Sequence, residues 1–543
     1  QGRFSYTRQF DRRDLFKSPE SLDYSTETDP KKKGSYYLVN SRSDRFDGNL
    51  TLAYNKTIDK HMLNVGVGSN IMQSETEGES FTGVGFINPD MIFIGAANAF
   101  QENTSPQGTY DKSRLVGFFT NVNYGYGNRY FLDFSFRSDG SSKFGRNSRF
   151  APFWSLGVAW NVHNESFWHA HEKNALKLRA SVGSTGTTNF SSTQALTTYL
   201  YDFSREYNGN FGVSLAGYGN SSLKWQTTLS YNVGVDFTFL HGLVVFNGDF
   251  YIKNTRSLLL PVTVAPSTGF IDYVENIGKL RNTGVEARLR FNLIQDAVKD
   301  LRWNVTLSAF HNRSKITQLS NQLETINQYA NDDRANQGTV VYRQFEAGRS
   351  QTALMVVRSG GIDPATGNEI YIKRNGEMTF EYNHNDKIEC GDMKPKIEGN
   401  VNTNLNWKGF NLYMLFKYQY GGKIYNVTLA SKVEGANPLK NADKRVLYDR
   451  WKEPGDHAKF RRIDDTSAPY QTTRLVFDNN LLALQSVSLS YELPRKISQK
   501  MYMERVKLLL SSTDLFRLSS VKQERGTSYP FARTFSIGLN VTF

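Results

Sequence analysis

The chain has one cysteine, Cys390, which excludes an internal disulfide framework and any cysteine-rich metal site. Long hydrophobic runs are missing as well. Aliphatic stretches such as Leu258 to Leu260 fall far short of the ~20 apolar residues that a membrane-crossing helix requires. Prolines number only 14 in 543 residues, so few extended segments are interrupted. No charged stretch followed by an apolar one precedes Phe4, which leaves a secretory signal outside these residues. Phosphate-binding glycine loops, nucleophile elbows and zinc-protease helices are absent from the sequence. The acidic neighbours Asp464 and Asp465 give no basis for a glycosidase pair, because adjacent side chains diverge. These absences argue against an enzyme and imply no cofactor.

What is present is aromatic. Tyr (29), Phe (37) and Trp (7) make up 13% of the chain, alongside 43 Gly. That is strand and turn chemistry. The hydrophobic content of 39% and mean hydropathy of -0.51 would suit a soluble protein. A wall with oil on one side and water on the other gives the same average. The net charge of +13 is scattered, with Lys31 to Lys33 the only short run. It points to anionic lipid headgroups rather than nucleic acid.

Read in steps of two, segment after segment separates into an apolar and a polar face. Val285, Ala287, Leu289, Phe291 and Leu293 alternate with Glu286, Arg288, Arg290 and Asn292. Leu301, Trp303, Val305, Leu307 and Ala309 alternate with Arg302, Asn304, Thr306 and Ser308. Tyr231 to Phe239 and Tyr130 to Phe136 follow the same rule, with Phe131 as an exception. About sixteen such segments occur, each near the ~9–11 residues that carry a tilted strand across a bilayer. The expected fold is all-β: a transmembrane antiparallel β-barrel wall. A soluble sandwich or propeller would have strands nearer ~5–6 residues.

Connections alternate in length. Short ones are expected at Asn55 to Lys60, Gly125 to Asn128, Leu240 to Gly242, Gln295 to Asp300 and Lys408 to Gly409. Val162 to Asn174 and Pro494 to Arg505 are longer members of that set, with room for a little helix. Long ones are expected at Gln73 to Ser113, Ser184 to Gln226, Asn254 to Asn282, Ser314 to Pro395, Gly421 to Asn480 and Arg517 to Arg533. Outer-membrane barrels keep short turns in the periplasm, so the long set is expected outside and Phe543 at the periplasmic rim.

Motifs spread along the chain, from Ser138-Asp139-Gly140-Ser141 through Asn282-Thr283-Gly284-Val285-Glu286 to Tyr529-Pro530-Phe531, resemble those of the SusC-like TonB-dependent outer-membrane transporters of Bacteroidetes. The resemblance rests on Ser138-Asp139-Gly140-Ser141-Ser142-Lys143-Phe144-Gly145 and Trp154-Ser155-Leu156-Gly157-Val158-Ala159-Trp160. It continues through Leu176 to Gly183, Asn276-Ile277-Gly278, Asn282 to Glu286, Gly361 to Gly367, Arg450-Trp451, Pro454-Gly455-Asp456 and Tyr529 to Phe535. It implies a barrel of about 22 strands with a plugged lumen. Residues 1–543 are then the C-terminal part of the barrel domain, with about six strands, the plug and any TonB-contacting segment expected before Gln1. An open sheet in lipid leaves unpaired edges, so another stretch of polypeptide is expected to close it.

The resemblance also implies active import of oligosaccharides or peptides, driven by TonB and covered by a SusD-like lipoprotein lid. A passive porin and a surface adhesin are the alternatives. Candidate substrate-stacking residues are the loop aromatics Tyr199, Tyr201, Phe203, Tyr207, Phe211 and Tyr218. Phe535, Ile537, Leu539, Val541 and Phe543 resemble the Phe-ended signal for barrel assembly. His163, His169 and His171 raise a metal site, but interfacial histidines explain them better. Asp363 to Glu369 lacks calcium-loop spacing and reads as a turn.

Overall fold

The computed structural model describes the chain except for residues 102–103, 105, 170–172, 189–190, 264–271, 277, 320–326, 328–344, 437–441, 466, 468 and 523–530. Period-two alternation yields sixteen long strands: Gly2–Lys17 (β1), Ser35–Ile58 (β2), His61–Val84 (β3), Gln107–Tyr126 (β4), Tyr130–Ser141 (β5), Phe150–Asn161 (β6), Ala175–Thr187 (β7), Gln226–Phe239 (β8), Val244–Arg256 (β9), Lys279–Asp296 (β10), Leu301–Gln318 (β11), Ile397–Trp407 (β12), Phe410–Tyr420 (β13), Leu481–Glu492 (β14), Arg505–Ser519 (β15) and Thr534–Thr542 (β16). Each pairs antiparallel with its neighbour in sequence, from β1–β2 through to β15–β16. The two-residue strand Ala99–Phe100 joins the end of β3. Among the described residues β1 and β16 do not pair with each other, so the sheet keeps two free edges.

The strand count agrees with the alternation, but several strands are longer than expected. β2 and β3 each run 24 residues. The stretch from Gln73 to Ser113, expected as one long connection, is largely strand, since β3 continues to Val84 and β4 begins at Gln107. The side chains give the reason. Leu63, Val65, Val67 and Ile71 hold the apolar face of β3, after which Gln73, Glu75, Glu77 and Glu79 continue it. The ladder to β2 nevertheless runs on until Val84 meets Ser35. Alternation in hydropathy stops where the apolar surroundings stop; backbone pairing does not. Ion pairs then link the extended strands: Arg8 to Asp44 at 2.7 Å, Arg42 to Glu77 at 2.8 Å and Lys112 to Glu75 at 2.8 Å. Exposed pairs contribute only ~0–1 kcal/mol each, so they fix register more than they stabilise.

Short and long connections alternate as expected, although 142–149, on the long side, is shorter than 162–174 on the other. The β12–β13 turn places Lys408 and Gly409 at φ of 45° and 87°, the type I′ geometry that matches strand twist. The two longer short-side connections hold a 3-10 turn at Val162–Asn164 and a helix at Arg495–Lys500.

Facing follows from register, because directly opposed residues share a face. Leu289 lies opposite Phe246 on one side and Leu307 on the other. A bulge between Asn292 and Ile294 then places Ile294, rather than the expected Leu293, opposite Trp303. Phe131 lies on the polar face, with the Lys177 ammonium 5.8 Å from its ring centre. At the short-turn end the apolar face carries the aromatic rows Tyr126, Tyr130, Trp160 and Trp407, Phe410, Tyr491. Phe410 and Tyr491 rings sit 4.3 Å apart, and the Trp303 indole N–H donates to Thr403 Oγ1 at 2.8 Å. Interfacial belts of this composition mark a bilayer boundary.

Opposite outcomes are expected for neighbouring substitutions in β10. Leu289→Arg should cost ~2–4 kcal/mol in a bilayer, measured by reversible unfolding in lipid vesicles, while Arg290→Leu should leave assembly intact. Equal costs would show that the faces are wrongly assigned.

Candidate functional site

Two regions gather polar chemistry: the polar face of the sheet, and a packed unit above its long-loop end. On the polar face, Arg179 of β7 donates from Nε to Asp236 of β8 at 2.9 Å and from Nη2 to Asp249 of β9 at 3.1 Å. Asn247 Nδ2 donates to the same Asp236 at 2.8 Å. Gly234 stands among them, and a Cβ there would lie 2.6 Å from Asp249 Oδ1 and 2.8 Å from the Arg179 guanidinium. Gly117 makes the same room beside Asp139, Asn70 and Arg137. Further round, Asn304, Asn404, Asn406 and Asn411 form an amide row, with Asn411 Nδ2 donating to Asn404 Oδ1 at 2.7 Å. The wall's polar face is well supplied with hydrogen-bond donors and acceptors.

The packed unit comes from described residues of the connections 319–396 and 421–480. Leu354 and Val356 of the first meet Tyr425, Ala430, Val433, Val446, Phe460 and Leu475 of the second in one buried cluster. Beside it, Arg474 Nη2 donates to Glu369 Oε2 and to Glu434 Oε1, both at 3.0 Å. Arg461 Nε donates to Glu434 Oε1 at 2.8 Å, and Thr472 Oγ1 donates to Glu369 Oε1 at 2.6 Å. Glu369 and Glu434 side chains are 1% and 0% exposed, so these pairs have left water. Burial favours the neutral form of Glu434, but Arg474 and Arg461 outweigh it and hold the carboxyl below its usual range. Burial also opposes the charge on Arg474, which Glu369 and Glu434 nonetheless push above the ordinary value. Local pattern cannot reveal this unit, because its charged residues lie up to 105 positions apart.

The aromatic candidates fall on a hairpin of the 188–225 connection, strands Thr198–Tyr207 and Asn210–Gly217. Its register sets Tyr199 opposite Leu215, Tyr201 opposite Val213 and Tyr207 opposite Asn210. Tyr199 and Tyr218 are 64% and 50% exposed. The side chains of Tyr201, Phe203, Tyr207 and Phe211 lie outside the described residues. On the final strand Phe535, Ile537 and Leu539 are exposed on the apolar face, with Phe543 just beyond it. His163 Nδ1 donates to the Leu176 carbonyl at 2.9 Å, which ties the ring to β7. His169 is exposed, and His171 lies outside the described residues. Asp363 accepts from the Ala365 and Thr366 amides and the Thr366 hydroxyl, the hydrogen bonding of a turn.

Arg474→Ala should loosen the packed unit by about 3–5 kcal/mol, since it leaves two buried carboxylates without their shared cation. Loss of hydrogen-exchange protection at Leu354 to Val357 would report it; undiminished protection would deny the ion cluster a cohesive role. Because the folded Glu434 pKa is depressed, its contribution is complete above the unfolded value of about 4.3. It fades as pH falls through the folded value. In the parent protein, protection at the same amides should therefore hold at neutral pH and drop on acidification, and Glu434→Gln should flatten that dependence.

The family model of TonB dependent receptor-like β-barrels matches residues 1–368. TonB-dependent receptor P3 of Formosa agariphila is 26% identical over 536 residues, covering 91% of this chain and 52% of that protein. TonB-dependent receptor SusC of Bacteroides thetaiotaomicron is 33% identical over 217 residues, 38% of this chain and 21% of that protein. The chain spans about half the length of the longest-matching curated relatives. The solved RagAB peptide transporter aligns with all of this chain and 60% of its own, with a TM-score of 0.84 at 21% identity, a likeness of fold. Sequential antiparallel strands with one apolar face, and a family match over more than half their length, place the chain in the TonB dependent receptor-like β-barrel family, as a SusC-like protein of the outer membrane.

Proposed function

We propose that this chain forms most of the wall of an active importer that takes oligosaccharides or peptides across the outer membrane. The observation that carries the reading is the two-faced sheet: an apolar face with aromatic rows, and a polar face lined by Arg179, Asp236, Asp249 and the asparagine row. Family membership supports energy coupling through TonB, a plug in the lumen and a SusD-like lipoprotein as lid. In this reading residues 1–543 are the C-terminal part of the barrel domain, and the remaining strands and plug belong to polypeptide beyond this chain. The long connections face the exterior and Phe543 the periplasm. Tyr199, Tyr201, Tyr207, Phe211 and Tyr218 are the residues proposed to stack on incoming substrate. Phe535, Ile537, Leu539, Val541 and Phe543 serve as the assembly signal.

Uptake measurements decide among importer, porin and adhesin. A deletion strain should lose uptake of one class of labelled oligosaccharide or peptide, and collapse of the inner-membrane proton gradient should stop uptake in the parent strain. Uptake that survives loss of the gradient identifies a passive pore, and unchanged uptake on deletion favours an adhesin.

A further inference from the structure

On the apolar face one register row starts large and ends small. Tyr130 of β5 lies opposite Trp160 of β6, Trp160 opposite Leu178 of β7, and Leu178 opposite Val235 of β8. From there the row shrinks to Gly248 of β9, Ala287 of β10 and Ala309 of β11. The rows on either side keep their bulk: Phe237, Phe246 and Leu289 toward the short turns, and Val233, Phe250 and Val285 away from them. Where the side chains are small, a hollow of about 690 Å³ opens in the wall. Arg179, Asp249 and Glu286 also border it, but alternation turns their side chains to the other face, where Arg179 pairs with Asp249 at 3.1 Å. Their backbone supplies the floor.

The hollow has the shape of a furrow. Along one wall the Phe246 ring leans over Gly248, where a Cβ would come within 2.8 Å of Phe246 Cζ. Val233, Phe250 and Val285 stand exposed along the other. At one end are the Tyr130 and Trp160 rings, stacked with centres 6.4 Å apart. The Tyr130 hydroxyl and the Trp160 indole N–H both donate to Glu165, at 2.6 Å and 3.0 Å. Such polar tips belong at the water boundary, with the rings just inside it. Tyr130 is the first residue of β5, whereas Ala287 stands well inside β10. The furrow therefore starts at headgroup level and runs obliquely into hydrocarbon.

We propose that this furrow is a specific site for one phospholipid, with an acyl chain lying along Val235, Gly248 and Ala287 and the headgroup resting beyond Tyr130 and Trp160. Continuity selects the occupant. The hollow opens on the face that an outer-membrane barrel turns to lipid, and it ends at interfacial aromatics. A chain in the ordinary lipid shell touches a smooth wall on one side only. Here it meets backbone beneath and rings on both flanks, so the gain is dispersion contact rather than hydrophobic burial, which neighbouring lipid already supplies. A second copy is disfavoured, because a two-fold axis through the furrow sets hollow against hollow. The short turns decide the leaflet. With those turns in the periplasm, as in the orientation proposed above, the chain comes from a phospholipid rather than from lipopolysaccharide. The choice of lipid rests on that orientation; the furrow itself does not.

The test weighs the full-length protein, extracted from its membrane in mild detergent, by native mass spectrometry. The parent should keep a single phospholipid per chain. Val235→Phe combined with Ala287→Phe fills the furrow and should lower that retention about tenfold, as the loss of roughly ten atom contacts implies. Leu405→Phe places the same ring elsewhere on the apolar face, between Trp303 and Leu412, and should keep lipid as the parent does. Heat-modifiable migration on gels verifies that each variant has assembled. Should the filled variant not assemble, the parent alone still answers. In vesicles containing phosphatidylethanolamine with a diazirine on its acyl chain, photolabel should concentrate on β8 to β10. A filled variant that keeps phospholipid, a parent that keeps none, or label spread evenly round the wall overturns the site and leaves the orientation standing. Paired chains that separate on filling also overturn it, in favour of a second copy. Lipopolysaccharide, rather than phospholipid, lost on filling overturns the choice of lipid and the orientation together.

Discussion

Inside hydrocarbon no water is available to an unpaired peptide group, and each one left unsatisfied costs several kcal/mol. That constraint organises the molecule. It forces each long strand onto its sequence neighbour and, among the described residues, leaves the outer edges of β1 and β16 without a partner strand. Those edges cannot remain open in a bilayer. The sheet's remaining requirement is therefore a backbone partner for each edge.

Two kinds of stability coexist above and within this sheet. Within it, only small buried clusters form where strands meet loops, Tyr36 and Leu38 with Phe86, and Phe153 with Phe144 and Trp225, while most of the apolar face is left to lipid. Above it, the connections 319–396 and 421–480 build a core of ordinary globular type, with Leu354, Val356, Ala430 and Val433 almost fully buried. The Arg474, Glu369 and Glu434 cluster makes that core specific. Each carboxylate accepts from more than one donor, which is what a buried ion needs before it ceases to be a liability. The described residues of the two long connections are thereby packed into one unit.

The polar face divides into sectors of different character. Around Arg179 charges cancel, and glycines such as Gly234 clear space for them. The asparagine row is neutral and rich in donors and acceptors. At the short-turn end of β11 to β15 the cations Arg302, Lys408, Arg495, Arg505 and Lys507 outnumber the carboxylates Asp300 and Glu492. Such a division matters because the field of a charge depends on whether its neighbours already neutralise it.

Alternation along the chain was sufficient to specify the class, the number of strands, the faces of Leu289 and Arg290 and the placement of most short turns, since period two is a property of neighbouring residues. It failed past Ile71 on β3, where both faces are polar and only pairing with β2 and β4 declares a strand. It failed again at Leu293, where a bulge set by the partner strand shifts the phase. The packed unit and the basic rim were invisible for a related reason. Glu369 reaches Arg474, and Arg302 joins Lys507, only after strands far apart in the chain have been brought together. Local sequence therefore determined which solvent each side chain prefers, and the tertiary structure decided which distant charges share that solvent, because proximity across a sheet is set by register rather than by order.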